Sequence, residues 1–237
     1  MCTVTFYKNA EKTIITSNRD EQRDRPGAKA PRKFLKGNNT FYYPVDPQGK
    51  GTWFCVKQDG GILVLLNGGD KKHMPLPPYR RSRGLILLDI FDSMNVNRQW
   101  QEIDLHGIEP FTIVAFVQNE LMQFRWNGCG KSFRILDVNQ PHIWSSATLY
   151  DDQAINMREA WYSSFLAKKK GNIHEGDFLD FHINTQKNDS LNGLVINRSQ
   201  TIITKNITQC VIDDKTFALT HLDLISGSKS KIIEFLR

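Results

Sequence analysis

The sequence predicts a layered α+β fold with antiparallel sheets, in a single domain that spans residues 1–237. Segments rich in β-forming residues follow one another in runs, instead of alternating with helices as in a doubly wound parallel sheet. Short turns join consecutive segments, which indicates antiparallel pairing. Helical patterns are few, and neither an internal repeat nor a low-complexity linker divides the 237 residues.

The first elements form two predicted hairpins. Residues Thr3–Tyr7 and Thr13–Thr16 are β-prone and are separated by a short polar connection, so they should pair at the N-terminus. The polar segment Asn18–Arg32 contains two prolines and a glycine and is predicted to be a loop. Further on, an Asp-Gly turn joins Thr52–Lys57 to Ile62–Leu66, which is a strong hairpin pattern.

The rest of the chain alternates helical and extended segments. A buried helix is predicted at Arg83–Met94, after a proline-rich loop. Asp151-Asp152 should cap a helix that runs to about Lys168, because the apolar residues after it fall near one face. A short helix is expected at Asp177–Ile183. The extended segments are Phe111–Gln118 with Leu121–Trp126, and Thr201–Gln209 with Thr216–Leu222, while Ser132–Val138 and Ile143–Leu149 are β or loop.

The composition narrows the classes of function. The net charge is +6, but the basic residues are scattered and no RNP-type motif occurs, so nucleic acid is not an expected partner. No stretch approaches the ~20 apolar residues of a membrane span, and no signal peptide is expected. The four cysteines lie far apart without a CxxC pair, which favours reduced thiols and a cytoplasmic protein. The six histidines lack metal-binding spacing, so no metal site is expected.

Position 2 holds the first candidate catalytic residue. Initiator Met1 is normally removed when the next residue is small, and Cys2 qualifies. The new first residue then carries a thiol nucleophile and a free α-amine with an unperturbed pKa of roughly 7.7–8.0, which can accept the thiol proton. The alternative is that Cys2 is only a small buried hydrophobe.

A polar cluster, Asn18-Arg19-Asp20-Glu21, follows the first hairpin. A capping box with Asn18 as N-cap and Glu21 at N3 is one interpretation, but no apolar stripe follows it. The other interpretation is that strand two returns the cluster to the start of strand one. A carboxylate there can hold the ammonium or thiol, and a guanidinium can hold the thiolate or a substrate carboxylate.

Several motifs together resemble the NRDE family, which includes the transport and Golgi organisation protein 2 group. The motifs are MCTVTF, SNRDE followed by RP, GTWFCV at Gly51–Val56, LLNGG at Leu65–Gly69, SRG at Ser82–Gly84 and SSATLYD at Ser145–Asp151. The family is similar to the N-terminal-nucleophile hydrolases, whose fold is a four-layer αββα sandwich. The resemblance therefore implies that fold for this chain.

The resemblance also implies roles for individual residues. Cys2 would attack an amide carbonyl, with Asn18, Arg19 and Asp20 beside it, and Asn67 would donate to the oxyanion. Asn67 could equally be a turn residue before two glycines. The residues expected to bind substrate are Glu21, Trp53, Ser145, Ser146 and Arg198, where Ser145-Ser146 stand in the place of a second Asn in such amidases.

Two functions follow from these expectations. The first is a cysteine N-terminal-nucleophile hydrolase without a cofactor, acting on a linear amide, a C–N bond other than an ordinary peptide. The second is a protein of the same family that binds haem or another small molecule without turnover, as relatives linked to Golgi and secretory organisation suggest. Both would use the same corner of the fold.

Overall fold

The computed structural model describes residues 3–171 and 173–237, which form two antiparallel sheets and four helices. The strands in this part of the chain are β1 (Thr3–Lys8), β2 (Thr13–Gln22), β3 (Lys29–Lys36), β4 (Asn39–Val45), β5 (Phe54–Lys57), β6 (Ile62–Asn67), β7 (Phe111–Val117), β8 (Glu120–Trp126), β9 (Lys131–Leu136), β10 (His142–Ser145), β11 (Asn197–Arg198), β12 (Ile202–Ile212), β13 (Thr216–Asp223) and β14 (Lys229–Phe235). The helices are α1 (Arg83–Asp92), α2 (Val96–Glu102), α3 (Asp152–Lys169) and α4 (Glu175–Asn184).

The two sheets differ in how the order of their strands relates to the order along the sequence. The first sheet has the order β10-β1-β2-β12-β13-β14, with the short strand β11 paired to β12. It therefore collects strands from both ends of the chain. The second sheet, β3 to β9, is a meander in which each strand pairs with the next along the sequence. Short connections between antiparallel neighbours account for this meander.

Helices cover the outer faces of the packed sheets. Val4 and Ile15 of the first sheet share one apolar core with Val64 of the second, and the rings of Phe6 and Phe116 lie 5.7 Å apart between the sheets. Helices α1 and α2 pack on the second sheet in that same core. Helices α3 and α4 pack on the first sheet around a separate apolar cluster, which includes Ile14. The predicted four-layer αββα sandwich is confirmed.

The predicted loop at Asn18–Arg32 is wrong for much of its length. Strand β2 continues through the polar cluster to Gln22, and β3 begins at Lys29. The reason is long-range pairing, because Asn18 to Gln22 pair with β12, which is 180 or more residues away. Local preference cannot report such a partner. Strand β14, strands β3 and β4, and helix α2 were not predicted either, whereas the helix capped by Asp151 is confirmed as α3.

Among the residues that the structure describes, no helix combines the length and apolar character that a membrane crossing requires.

Candidate active site

The start of strand β1 lies between two of the predicted site segments. Thr3 pairs with Asn18 of β2 on one side and with Ser145 of β10 on the other. The prediction that the first hairpin returns the polar cluster to the beginning of β1 is therefore confirmed. Cys2, the predicted nucleophile, lies outside the described residues.

Asn18 points toward the helices that cover the first sheet. Its Nδ2 donates to the carbonyl oxygens of His182 (3.2 Å) and Leu194 (2.5 Å), and its Oδ1 lies 2.5 Å from His182 Nδ1. Because Asn18 Oδ1 can only accept, His182 Nδ1 donates, and Nε2 then accepts from Thr5 Oγ1 at 2.8 Å. Burial, with a further effect of the Arg158 charge, lowers the pKa of His182 to about 3. The imidazole is therefore neutral and its role here is to connect α4 to β1 and β2.

Asp20 points to the same side of β2 as Asn18. Its two oxygens accept hydrogen bonds from the hydroxyls of Tyr150 (3.0 Å) and Thr204 (2.5 Å). The Arg158 guanidinium lies 3.4 Å from the centre of the Tyr150 ring, as expected for a cation–π contact. Arg158 is fully buried and also donates to Thr3 Oγ1 at 2.6 Å. One arginine of α3 thus connects the first described residue of β1 to the aromatic partner of Asp20.

Arg19 and Glu21 lie on the opposite side of β2 and line a cavity of about 350 Å³. The Arg19 side chain is 2 % exposed, its Nη2 donates to Asp46 at 3.0 Å, and its guanidinium lies 4.6 Å from the centre of the Trp53 ring. Burial lowers the pKa of Arg19, although the nearby carboxylates of Glu21 and Asp46 oppose this effect. The cavity is strongly ionic; its charged lining residues are Arg19, Glu21, Arg25, Asp46, Arg81, Arg83 and Glu109.

Two carboxylates of the cavity are bonded to its arginines. Arg25 donates to Asp46 Oδ2 through Nε (2.9 Å) and Nη2 (2.7 Å). Burial alone would raise the pKa of Asp46, but the bond from Arg25 and the charge of Arg19 outweigh it and lower that pKa. On the other wall, Arg83 Nη2 lies 3.0 Å from Glu109 Oε2. Both carboxylates are therefore paired with guanidinium groups.

Two glycines from separate motifs allow the walls of this cavity to meet. A Cβ on Gly51 would lie 2.4 Å from the carbonyl carbon of Gly84, and a Cβ on Gly84 would lie 2.6 Å from the Thr52 carbonyl oxygen. Any side chain at either position would displace backbone. The GTWFCV and SRG motifs therefore place Trp53 and Arg83 around one cavity.

Asn67 ends strand β6 and lines both this cavity and a second one of about 240 Å³. Its backbone carbonyl accepts a hydrogen bond from Ser146 Oγ at 2.8 Å. Gly68 follows with φ of +87°, which favours glycine. Ser145 and the apolar side chain of Trp144 line the second cavity. Asn67 is thus the last residue of a strand and lines both cavities, and its predicted role as an oxyanion donor stays a prediction.

Arg198 lies away from these cavities. Its Nη1 donates to the Leu149 carbonyl at 2.8 Å, its Nε donates to the Leu191 carbonyl at 2.9 Å, and its guanidinium lies 4.9 Å from the Tyr150 ring centre. It is not one of the residues that line either cavity. Its predicted role in binding substrate stays a prediction.

Several residues of this site were not predicted from the sequence. Arg83 and Tyr150 belong to the SRG and SSATLYD motifs, so a sequence signal for them exists. Asp46, Glu109 and Arg158 stand outside every motif, and only the three-dimensional arrangement brings them in. No group of three or more His, Cys, Asp or Glu side chains suited to a metal occurs in the described part of the chain.

The chain matches a known protein family over most of its length. The model of the family described as Transport and Golgi organisation 2 matches residues 1–213. The chain belongs to this family. No curated protein sequence matches the chain. The family match covers both walls of the ionic cavity and all the predicted site residues.

Solved structures show the same fold as this member of the family. A mutant of conjugated bile acid hydrolase from Clostridium perfringens superimposes with a TM-score of 0.61 at 10 % identity, covering 100 % of this chain and 97 % of that one. A second variant of the same enzyme gives 0.59 at 9 % identity, with the same coverage. An N-acylethanolamine-hydrolyzing acid amidase orthologue from Caenorhabditis elegans gives 0.54 at 13 % identity, covering 88 % and 92 %. The chain therefore has a fold like that of the N-terminal-nucleophile hydrolases.

Proposed function

We propose that the protein is a cysteine hydrolase that uses its N-terminal residue to cleave a linear amide. The register at the start of β1 carries the proposal, because it sets Thr3 directly between Asn18 and Ser145. Arg19, the neighbour of Asn18 in β2, lines a cavity together with Asn67, and a nucleophile joined to Thr3 would have that cavity beside it. The solved structures with this fold are named as hydrolases, one of them an acid amidase, which agrees with this reaction.

The reaction would proceed in two balanced halves after removal of Met1. The α-amine of Cys2 accepts the thiol proton, and the thiolate forms a bond to the amide carbonyl carbon. The C–N bond then breaks, the leaving amine takes the proton from the ammonium group, and a thioester remains. Water attacks the thioester carbonyl and gives a proton to the α-amine. Cleavage of the C–S bond releases the carboxylic acid and returns the proton to the thiolate.

The surrounding side chains would support these steps. The Asn67 side-chain amide would donate to the oxyanion, an interaction worth roughly 3–4 kcal/mol for one donor. Asp20, bonded to Tyr150 and Thr204, and Arg19 would orient the terminal residue. Glu21 and Trp53 line the ionic cavity, and Ser145 lines the second cavity. These residues would contact the portions of the substrate on either side of the amide that is cleaved. Ser146 would act through its hydrogen bond to Asn67.

The test uses purified full-length protein. Intact mass should show that Met1 is absent, and Cys2 should be alkylated fastest near neutral pH. Burial raises the pKa of the Cys55 and Cys210 thiols, so neither should compete. Cys129 is exposed and could compete, so Cys129→Ser is the matched control and should keep full activity.

Turnover is measured on a panel of activated linear amides. Cys2→Ala should abolish hydrolysis, and Asn67→Ala should lower kcat by a factor of about 10² to 10³ if it supplies an oxyanion donor. Retained Met1, or hydrolysis unchanged in Cys2→Ala, would exclude the terminal nucleophile. A haem titration with a Cys2-dependent Soret shift, in a protein without turnover, would favour the binding alternative instead.

A further inference from the structure

The fully buried polar atoms of the ionic cavity that lack a hydrogen-bond partner within the described chain are of one kind. Among its lining residues, two buried polar atoms have no hydrogen-bond partner within the described chain, and both are N–H donors: Arg19 Nη1 and Trp53 Nε1. A buried donor without an acceptor is unfavourable unless something supplies one. The group that completes this cavity is therefore an acceptor.

The carboxylates of the cavity already have partners within the protein. Asp46 accepts from Arg19 and Arg25. Glu21 lies 3.5 Å from a nitrogen of each of those arginines. Glu109 lies 3.0 Å from Arg83 and 3.4 Å from His73. A ligand thus meets N–H donors that lack an acceptor and carboxylates that are already paired with arginines.

The same cavity contains the N-terminus of a helix. Ser82 is the N-cap residue of the ten-residue helix α1, and both Ser82 and Gly84 line the cavity. The Ser82 side chain makes no capping hydrogen bond with the residues that the structure describes. The first N–H groups of a helix lack intrahelical acceptors, and the helix dipole favours negative charge there. Arg83, also in this first turn, is mostly buried.

We propose that this part of the cavity binds the oxyanion of a substrate, a carboxylate, between Arg19, Arg83 and the N-terminus of α1. The inference rests on the proposed amidase function and narrows its substrate to an amide that carries an acidic group. Phosphate offers the same oxygen chemistry, and the test below separates the two.

Binding is measured by calorimetry on the full-length Cys2→Ala variant, so that turnover does not interfere. The probes are N-benzoylglycine, its neutral carboxamide, and phenyl phosphate. We expect the carboxylate to bind about tenfold or more tightly than the carboxamide, because charge-assisted hydrogen bonds are stronger than neutral ones. Tighter binding of phenyl phosphate than of N-benzoylglycine would overturn the carboxylate assignment in favour of phosphate.

Ser82→Asp tests the site without disturbing a buried charge. Asp is a strong N-cap residue, so this variant should keep or raise the melting temperature while its own carboxylate occupies the N-terminus of α1. The preference for N-benzoylglycine should then fall at least fivefold. Arg83→Met should have the same effect in a folded protein.

Arg81→Met is the matched control. Arg81 lines the same cavity, but it is more exposed than Arg83, and both its Nη atoms bond to Asp89, which does not line the cavity. The preference should survive in this variant. Equal affinity for acid and carboxamide, or a preference unaffected by Ser82→Asp, would overturn the inference. Since binding is measured without turnover, a failure of the amidase proposal would appear separately in the activity assay.

Discussion

The two sides of strand β2 show a contrast between adjacent residues. On the side facing α3 and α4, both polar groups of Asn18 and both oxygens of Asp20 have partners. On the cavity side, Arg19 is as deeply buried but keeps a guanidinium nitrogen with no partner in the described chain. Completed hydrogen bonds fix the architecture, whereas spare donors mark where a ligand can complete the network.

The largest effect should come from Arg158, on the helix side. Arg158→Met removes buried donors to Thr3 and to the carbonyls of Asn192 and Gly193. We expect the free energy of unfolding in urea to fall by about 3 kcal/mol or more, because those acceptors lose a charged partner. Arg198→Met is the control, since Arg198 contacts the same Tyr150 ring from a more exposed position. Equal losses in both variants would contradict the contrast.

The next effect concerns acid stability. The pKa of His182 is about 3 in the folded protein and near 6.5 in an unfolded chain. On acidification the unfolded state therefore binds the proton first, and stability present above pH 6.5 is lost as the pH falls toward 3. The slope contributed by this one group approaches about 1.4 kcal/mol per pH unit.

His182→Gln should make the decline of the unfolding free energy between pH 6 and pH 4 shallower than in the parent protein. Urea titrations at several pH values measure it. His106→Gln, at an exposed position, should leave the slope unchanged. If His182→Gln retains the parent slope, then His182 is not the neutral group that connects α4 to the sheet.

The smallest effect should come from Trp53 on the cavity side. Trp53→Phe keeps an aromatic face for Arg19 but removes Nε1, which has no partner in the described chain. We expect the free energy of unfolding to fall by about 1 kcal/mol from the packing that the smaller ring loses, with no loss from Nε1, since no internal hydrogen bond is broken. Affinity for N-benzoylglycine should fall severalfold. A large loss of stability with unchanged affinity would mean that Nε1 serves the fold and not the ligand.

Local sequence patterns predicted the hairpins and long helices, because each depends on residues close in sequence. The Asp-Gly turn and the Asp151 cap are examples. Local patterns gave a wrong prediction at Asn18–Gln22, where pairing with β12 overrides a polar composition typical of a loop. The edge strand β14, which alternates exposed and partly buried residues, was missed because it buries too little to show a clear pattern.

The site, like the fold, was predicted only in part from the sequence. The cluster at Asn18–Glu21 was found, but its division between two sides of β2 follows from strand alternation, which a loop assignment conceals. Asp46 and Glu109 were missed because their significance depends on the arginines that they face across the cavity. Arg158 was missed because it lies on α3 among residues that otherwise resemble a solvated helix face.

The alternation along β2 has a consequence for how the family can diversify. Positions 19 and 21 face the ionic cavity, whereas positions 18 and 20 hold the helical layer and the start of β1. Substitutions at every second residue can therefore alter ligand preference while the intervening residues preserve the scaffold. A single-residue insertion within the strand would turn the cavity residues toward the helices and the helix-facing residues toward the cavity, so both sets of contacts would be lost. Relatives should thus keep the length of the chain between Thr13 and Gln22 unchanged.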